Sequence, residues 1–64
     1  MESIQLTTSK DNNEVFINLN KVAAFTKNGK GTRVLYINGQ ILDVKESLRK
    51  VEHLLEHNVL DIRL

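Results

Sequence analysis

Apolar and polar residues alternate along the first half of this chain and then recur at helical spacing. Ser3 to Thr8 places Ile4 and Leu6 on one side and Gln5 and Thr7 on the other, which predicts an edge-type strand. Ser9 to Asn13 is polar and rich in turn formers, so a loop follows. Glu14 to Leu19 reads as a second strand, with Val15, Ile17 and Leu19 facing one way and Phe16 the other, and it pairs with the first as a hairpin. Asn18-Leu19-Asn20-Lys21 bends the chain. Val22 to Thr26 reads as a third strand, with helix as a rival because of Ala23-Ala24. Asn28-Gly29-Lys30-Gly31 interrupts regular structure.

Thr32 to Ile37 and Gln40 to Asp43 flank Asn38-Gly39, a dipeptide that suits a two-residue hairpin turn because both central residues tolerate positive φ. Such a turn pairs Ile37 with Gln40, Tyr36 with Ile41, Leu35 with Leu42 and Val34 with Asp43. Leu35, Ile37, Leu42 and Val44 then share one face, and Val34, Tyr36 and Ile41 the other. Both faces are apolar. One helix can cover one of them, and the other needs a second cover.

Asp43, with Glu46 three residues on, predicts a capped helix start. Val44, Leu48, Val51, Leu54 and Leu55 span roughly a third of the helix circumference. Asn58 is a plausible helix stop. The tail, Val59 to Leu64, alternates again, with Leu60, Ile62 and Leu64 opposing Val59, Asp61 and Arg63. It reads as a final strand that joins the sheet or pairs with another chain. The expected fold is therefore α+β: one domain over 1–64, with a small, mostly antiparallel sheet of about five strands and one amphipathic helix near the C-terminus.

Composition sharpens this picture. At 64 residues a domain buries only about 60% of its unfolded surface, and such domains usually add disulfides, a metal or a second copy. Cysteine is absent, so oligomerisation is the ordinary remaining device. Nine Lys+Arg against eight Asp+Glu give a net charge of +1, too balanced to mark a nucleic-acid binder by charge alone. The longest apolar runs are only a few residues, so no membrane association is expected. The first residues lack the pattern of a secretion signal, and a cytoplasmic location is expected.

Three motifs carry candidate chemistry. His53-Leu54-Leu55-Glu56-His57 matches the inverted zinc-peptidase pattern H-x-x-E-H. Both histidines fall opposite the apolar stripe, only Asp61 offers itself as a third ligand, and the chain is short for a substrate cleft, so neither metal nor other cofactor is expected. Lys27-Asn28-Gly29-Lys30-Gly31-Thr32-Arg33 combines glycines with three basic residues. It lacks phosphate-loop spacing and no helix follows it. Its bland reading is a solvated hairpin tip, and its sharper one is contact between Lys27, Lys30 and Arg33 and a nucleic-acid backbone. Among the aromatics, Phe16 and Phe25 read as core, and Tyr36 reads as an interface residue beside Val34 and Ile41. No serine stands in a meaningful relation to a histidine and an acid.

From Ile17 to Glu56 the chain resembles two small patterns. Leu19-Asn20-Lys21-Val22, a strand, Asn38-Gly39 and a helix resemble the FlbD-like family of short bacterial flagellar proteins. Val34 to Gly39 followed by Glu46-Ser47-Leu48-Arg49-Lys50-Val51-Glu52 resembles the first half of a LytTR DNA-binding domain, whose basic second half is missing here. The first resemblance implies little chemistry, and no functional residue is carried over from either.

The expected function is a small non-enzymatic interaction or regulatory module. It is expected to be a homodimer that binds or inhibits a larger protein partner, as a bacterial or phage-encoded adaptor does. The contact is expected at Val34, Tyr36 and Ile41 or at Leu60, Ile62 and Leu64. The alternative is a small nucleic-acid-binding regulator using residues 27–33.

Overall fold

A computed structural model describes the backbone of residues 3–63 and the side chains of residues 3–57. The first hairpin pairs β1 (Ser3–Thr7) with β2 (Glu14–Asn18), Ile4 opposite Ile17 and Leu6 opposite Val15. Its connection is closed by the Thr8 N–H, which donates to the Asn13 carbonyl at 2.9 Å, and by the Asn12 N–H, which donates to the Thr8 carbonyl at 3.1 Å. Asn12 takes φ +59°, a conformation that Asn tolerates better than most side chains.

The expected bend after β2 is a single 3₁₀ turn, Leu19–Lys21, capped by the Asn18 side chain, which accepts from the Asn20 N–H at 3.0 Å. A three-stranded antiparallel sheet follows in the order β3 (Val22–Asn28), β4 (Gly31–Tyr36), β5 (Ile41–Val44). Strand thus prevails over helix at Val22–Thr26. A register shift between Val22 and Ala24 leaves Ala23 as the extra residue. That bulge lets Val22 and Phe25, three apart, both pack against the core. Glycine 29 and Lys30 form the two-residue turn, with Gly29 at φ +62° and Asn28 opposite Gly31. The regular structure is interrupted for these two residues only.

Five strands therefore form two antiparallel sheets. They are joined where β1 ends: Thr8 bridges to Val44, Ser9 donates its N–H to the Asp43 carbonyl at 3.0 Å, and Lys45 donates to the Thr7 carbonyl at 2.8 Å. Core side chains come from both sheets and from the helix. Ile4, Leu6, Ile17, Val34, Val44 and Val51 are buried, flanked by Val15, Leu19, Val22, Phe25, Tyr36, Leu42, Leu54 and Leu55.

The helix α1 (Leu48–Arg63) begins four residues later than Val44, and Val44 belongs to β5. Ser47, not Asp43, caps it, accepting from the Lys50 N–H at 3.2 Å. Asp43 is held in the strand by its cross-strand pairing with Arg33. Glu46, expected in the first turn of a helix capped by Asp43, instead ties the sheets together. Its Oε1 accepts from the Thr7 N–H at 2.9 Å, and its carbonyl accepts from the fully buried Thr32 hydroxyl at 2.8 Å. Gly31 lies against this junction. A Cβ there would collide with the Val44 carbonyl oxygen, so the close approach of two backbones, not a positive φ, requires glycine. The final strand expected over Val59–Leu64 is not formed: residues 59–63 continue the helix, and Leu64 lies outside the described residues.

Burial alone would push the Glu46 carboxyl up, but the Thr7 and Glu46 backbone N–H groups, with Lys50 nearby, outweigh it and hold the carboxyl below its ordinary value. The folded state thus prefers the carboxylate. That stability is complete above the ordinary value of 4.5 and disappears as pH falls through the lowered folded value. A Glu46→Gln variant is expected to melt below the wild type at pH 7, with the gap narrowing as pH falls below 4.5. Thermal melts across this range check this, and an unchanging gap contradicts the junction role.

Candidate functional site

The hairpin around Asn38-Gly39 decides which surface this protein presents. Its observed pairs are Leu35 with Ile41, Val34 with Leu42, Arg33 with Asp43 and Thr32 with Val44. This is one residue away from the expected register. The loop contains three residues, Ile37-Asn38-Gly39. The Gly39 N–H donates to the Tyr36 carbonyl at 3.0 Å, and the Tyr36 N–H donates to the Gln40 carbonyl at 2.9 Å. Glycine 39 has φ +91°, whereas Asn38 is not among the positive-φ residues. This is a type I turn closed by a glycine in the left-handed region, the common three-residue hairpin. The Asn38 side chain stabilises it by accepting from the Gln40 N–H at 3.0 Å.

One residue of slip exchanges the inner and outer members of a strand pair. Val34, expected at a partner contact, is 0% exposed inside the core. Tyr36 is half-buried and packs against the same core, where burial pushes its hydroxyl up. Neither therefore forms the bare face expected of them. Ile41 is 54% exposed on the opposite face. Around it are its cross-strand partner Leu35, then Ala24 beyond Leu35 on β3, with Ile37 65% exposed in the turn. The chain does have an uncovered apolar sheet face, but with a different membership. Phe16, read as core, is 74% exposed on the outer side of the other sheet, opposite Gln5.

A half-exposed ion pair borders the uncovered face. Arg33 Nε donates to Asp43 Oδ1 at 2.8 Å and Nη2 to Oδ2 at 3.2 Å. The hydrogen bond from Arg33 chiefly holds the Asp43 carboxyl below its ordinary value, and the same bond raises the guanidinium. Arg33 is thereby separated from the basic loop. It pairs with Thr26, whereas Lys27 pairs with Thr32, so Lys27 and Arg33 point to opposite faces. Lys27 and Lys30 instead share a cleft of about 500 Å³ with Arg49, Ser47 and Glu52 of the helix start. The sequence reading missed Arg49. Its place could have been found only by knowing that the β3–β4 turn folds back over the beginning of α1.

His53 and His57 are exposed, as their position opposite the apolar stripe implies. Their Nε2 atoms are 2.9 Å apart and their ring centroids 4.4 Å. His57 also lines a groove between β1 and α1 with Glu14, Glu46, Lys50 and Leu54. Among the described residues, no three potential metal ligands come together. Leu60 and Ile62 occupy helical positions, with side chains outside the described residues. No described helix is long and apolar enough to cross a membrane.

No protein-family model matches the chain, and neither the curated proteins nor the solved structures searched contain a match.

The register has a direct test. Val34→Ala is expected to destabilise the protein by about 2–3 kcal/mol through the cavity it leaves. Ile41→Thr on the outer face is expected to shift the stability of the isolated chain by no more than about 0.5 kcal/mol. Urea denaturation at low protein concentration reads both, and equal losses would support the two-residue turn, which sets Val34 and Ile41 on one face.

Proposed function

We propose that this protein is a small non-enzymatic interaction module that acts as a homodimer, with the outer face of the β3–β4–β5 sheet as the contact. The observation that carries this reading is the exposure of Ile41 and Ile37 beside Leu35 on a small domain where six apolar side chains among the described residues are buried. Exposed apolar side chains on so small a domain gain by being covered.

A second copy is the occupant best matched to this face. A two-fold interface must be complementary to itself. The face carries a cation and an anion side by side, Arg33 and Asp43, beside an apolar centre. Rotating one copy onto another can set apolar centre on apolar centre and each charge near its opposite. A net charge of +1 gives little repulsion between copies. Two antiparallel sheets packed face to face about 10 Å apart bury such centres in the manner of a sandwich. The dimer then offers its remaining surface to a larger protein partner that it binds or inhibits.

Sedimentation at tens of micromolar is expected to give a dimer for the wild type and a monomer for Ile41→Lys. Phe16→Lys, which removes an equally exposed apolar side chain from the other sheet, is expected to remain a dimer. A monomeric wild type, or equal loss in both variants, contradicts the proposal.

One observation favours a second reading. Lys27, Lys30 and Arg49 converge on a cleft where Glu52 is the one acidic lining residue among the described residues, which suits an anionic backbone. Retention on heparin that falls steeply with salt and is lost in a Lys27→Ala/Lys30→Ala variant supports this reading. No retention at low ionic strength removes it.

A further inference from the structure

We propose that His53 and His57 form a two-nitrogen chelate for a divalent transition-metal ion of the copper(II)–nickel(II) class, bound through both Nε2 atoms. Residues four apart on a helix stand one above the other on the same face, so both imidazoles project from adjacent turns of α1. The separation of their nitrogens is what distinguishes this pair from two neighbouring surface histidines.

A metal–imidazole bond is about 2.0–2.1 Å long. Two such bonds at a right angle put their nitrogens about 2.9 Å apart, and at the tetrahedral angle about 3.3–3.4 Å. The observed Nε2···Nε2 distance is 2.9 Å. The ring centroids provide a second measure. Two rings aimed at one metal at a right angle have centroids about 4.5 Å apart. Two rings aimed head-on at each other through a straight N–H···N hydrogen bond of this length have centroids about 5.2 Å apart. The observed value is 4.4 Å. Both distances match those of two imidazoles that share one ion at a right angle, with the ring planes standing 75° apart. Without metal, an N–H···N contact between neutral rings in complementary tautomers holds the same spacing, and when the ion binds the donor ring's Nε2 proton passes through water to its own Nδ1, which leaves an Nε2 lone pair on both rings.

A right-angled pair of imidazole nitrogens suits the tetragonal preference of copper(II) and nickel(II) better than the tetrahedral preference of zinc(II), and copper(II) also heads the general affinity order. Glu14 and Glu46 line the groove that His57 borders, together with Lys50, so two carboxylates and one ammonium surround it. With two protein ligands, water fills the remaining positions. The assignment is therefore a chelate, distinct from the zinc-peptidase arrangement that the H-x-x-E-H spacing suggests. It also departs from the sequence expectation of no metal.

The experiment is calorimetric titration of the full chain with copper(II), nickel(II) and zinc(II) salts in a non-coordinating buffer. One copper per chain is expected, with copper bound more tightly than nickel or zinc. Electron paramagnetic resonance of the copper form is expected to show two equatorial nitrogens. His53→Gln and His57→Gln are each expected to weaken copper binding at least tenfold, and Glu56→Gln to leave it unchanged. All three positions are exposed, and circular dichroism confirms that each variant is folded. Copper is also expected to raise the melting midpoint of the wild type and of neither histidine variant, because the unfolded chain does not hold the rings at this spacing. Full copper affinity in either histidine variant, or tighter binding of zinc than of copper, overturns the proposal.

Discussion

The register of β4 against β5 is the constraint on which the rest of this molecule depends. It follows from one backbone conformation, Gly39 at φ +91° at the end of a three-residue loop. With that loop, Val34 and Leu42 pair and face inward with Val44, and Leu35 and Ile41 pair and face outward. A residue with a Cβ would resist this left-handed conformation, which glycine adopts without steric cost. Because side-chain direction alternates with period two, every exposed or buried residue of the hairpin follows from this single turn.

The second organising feature is the junction at residues 43–47, where two sheets and a helix meet within five residues. Backbone bonds from Ser9 and Lys45 attach β1 to β5, and the Glu46 carboxylate and carbonyl receive Thr7 and Thr32. Ser47 then caps the helix. Here β5 cannot continue as helix, because its backbone groups are already committed to β4 on one side and to the end of β1 on the other. The same crowding leaves no room for a Cβ at position 31. Polar groups are satisfied throughout: no buried side-chain polar atom among the described residues lacks a partner. The core can therefore be small and still well ordered.

Function, as proposed, grows out of what this arrangement leaves uncovered. The helix and the first hairpin close the inner face of the three-stranded sheet, and the outer face keeps Leu35 and Ile41 beside the Arg33–Asp43 pair, with Ile37 exposed in the turn. The helix turns its other side outward and presents His53 and His57 there. The two features lie on different elements, so association and metal binding can be separated by substitution.

The elements themselves were legible in the sequence. Alternation placed all five strands to within a few residues, and the Leu48, Val51, Leu54 and Leu55 stripe placed the helix, because both signals reflect the fixed geometry of local backbone states. The existence of a hairpin at Asn38-Gly39, and an apolar face on each side of it, also followed from residue types alone. What the sequence could not decide was the length of that loop, since Asn-Gly serves both two- and three-residue turns, and the choice depends on which face the rest of the chain can bury. The start of the helix was equally undetermined: Asp43 and Ser47 are both competent caps, and only the pairing of Asp43 with Arg33 across the sheet selects Ser47. The tail has an alternating pattern that reads as strand, yet residues 59–63 extend the helix before them. Local pattern fixed which elements form. Long-range pairing fixed where each begins and ends and which side chains face water, because those outcomes depend on neighbours distant in the chain.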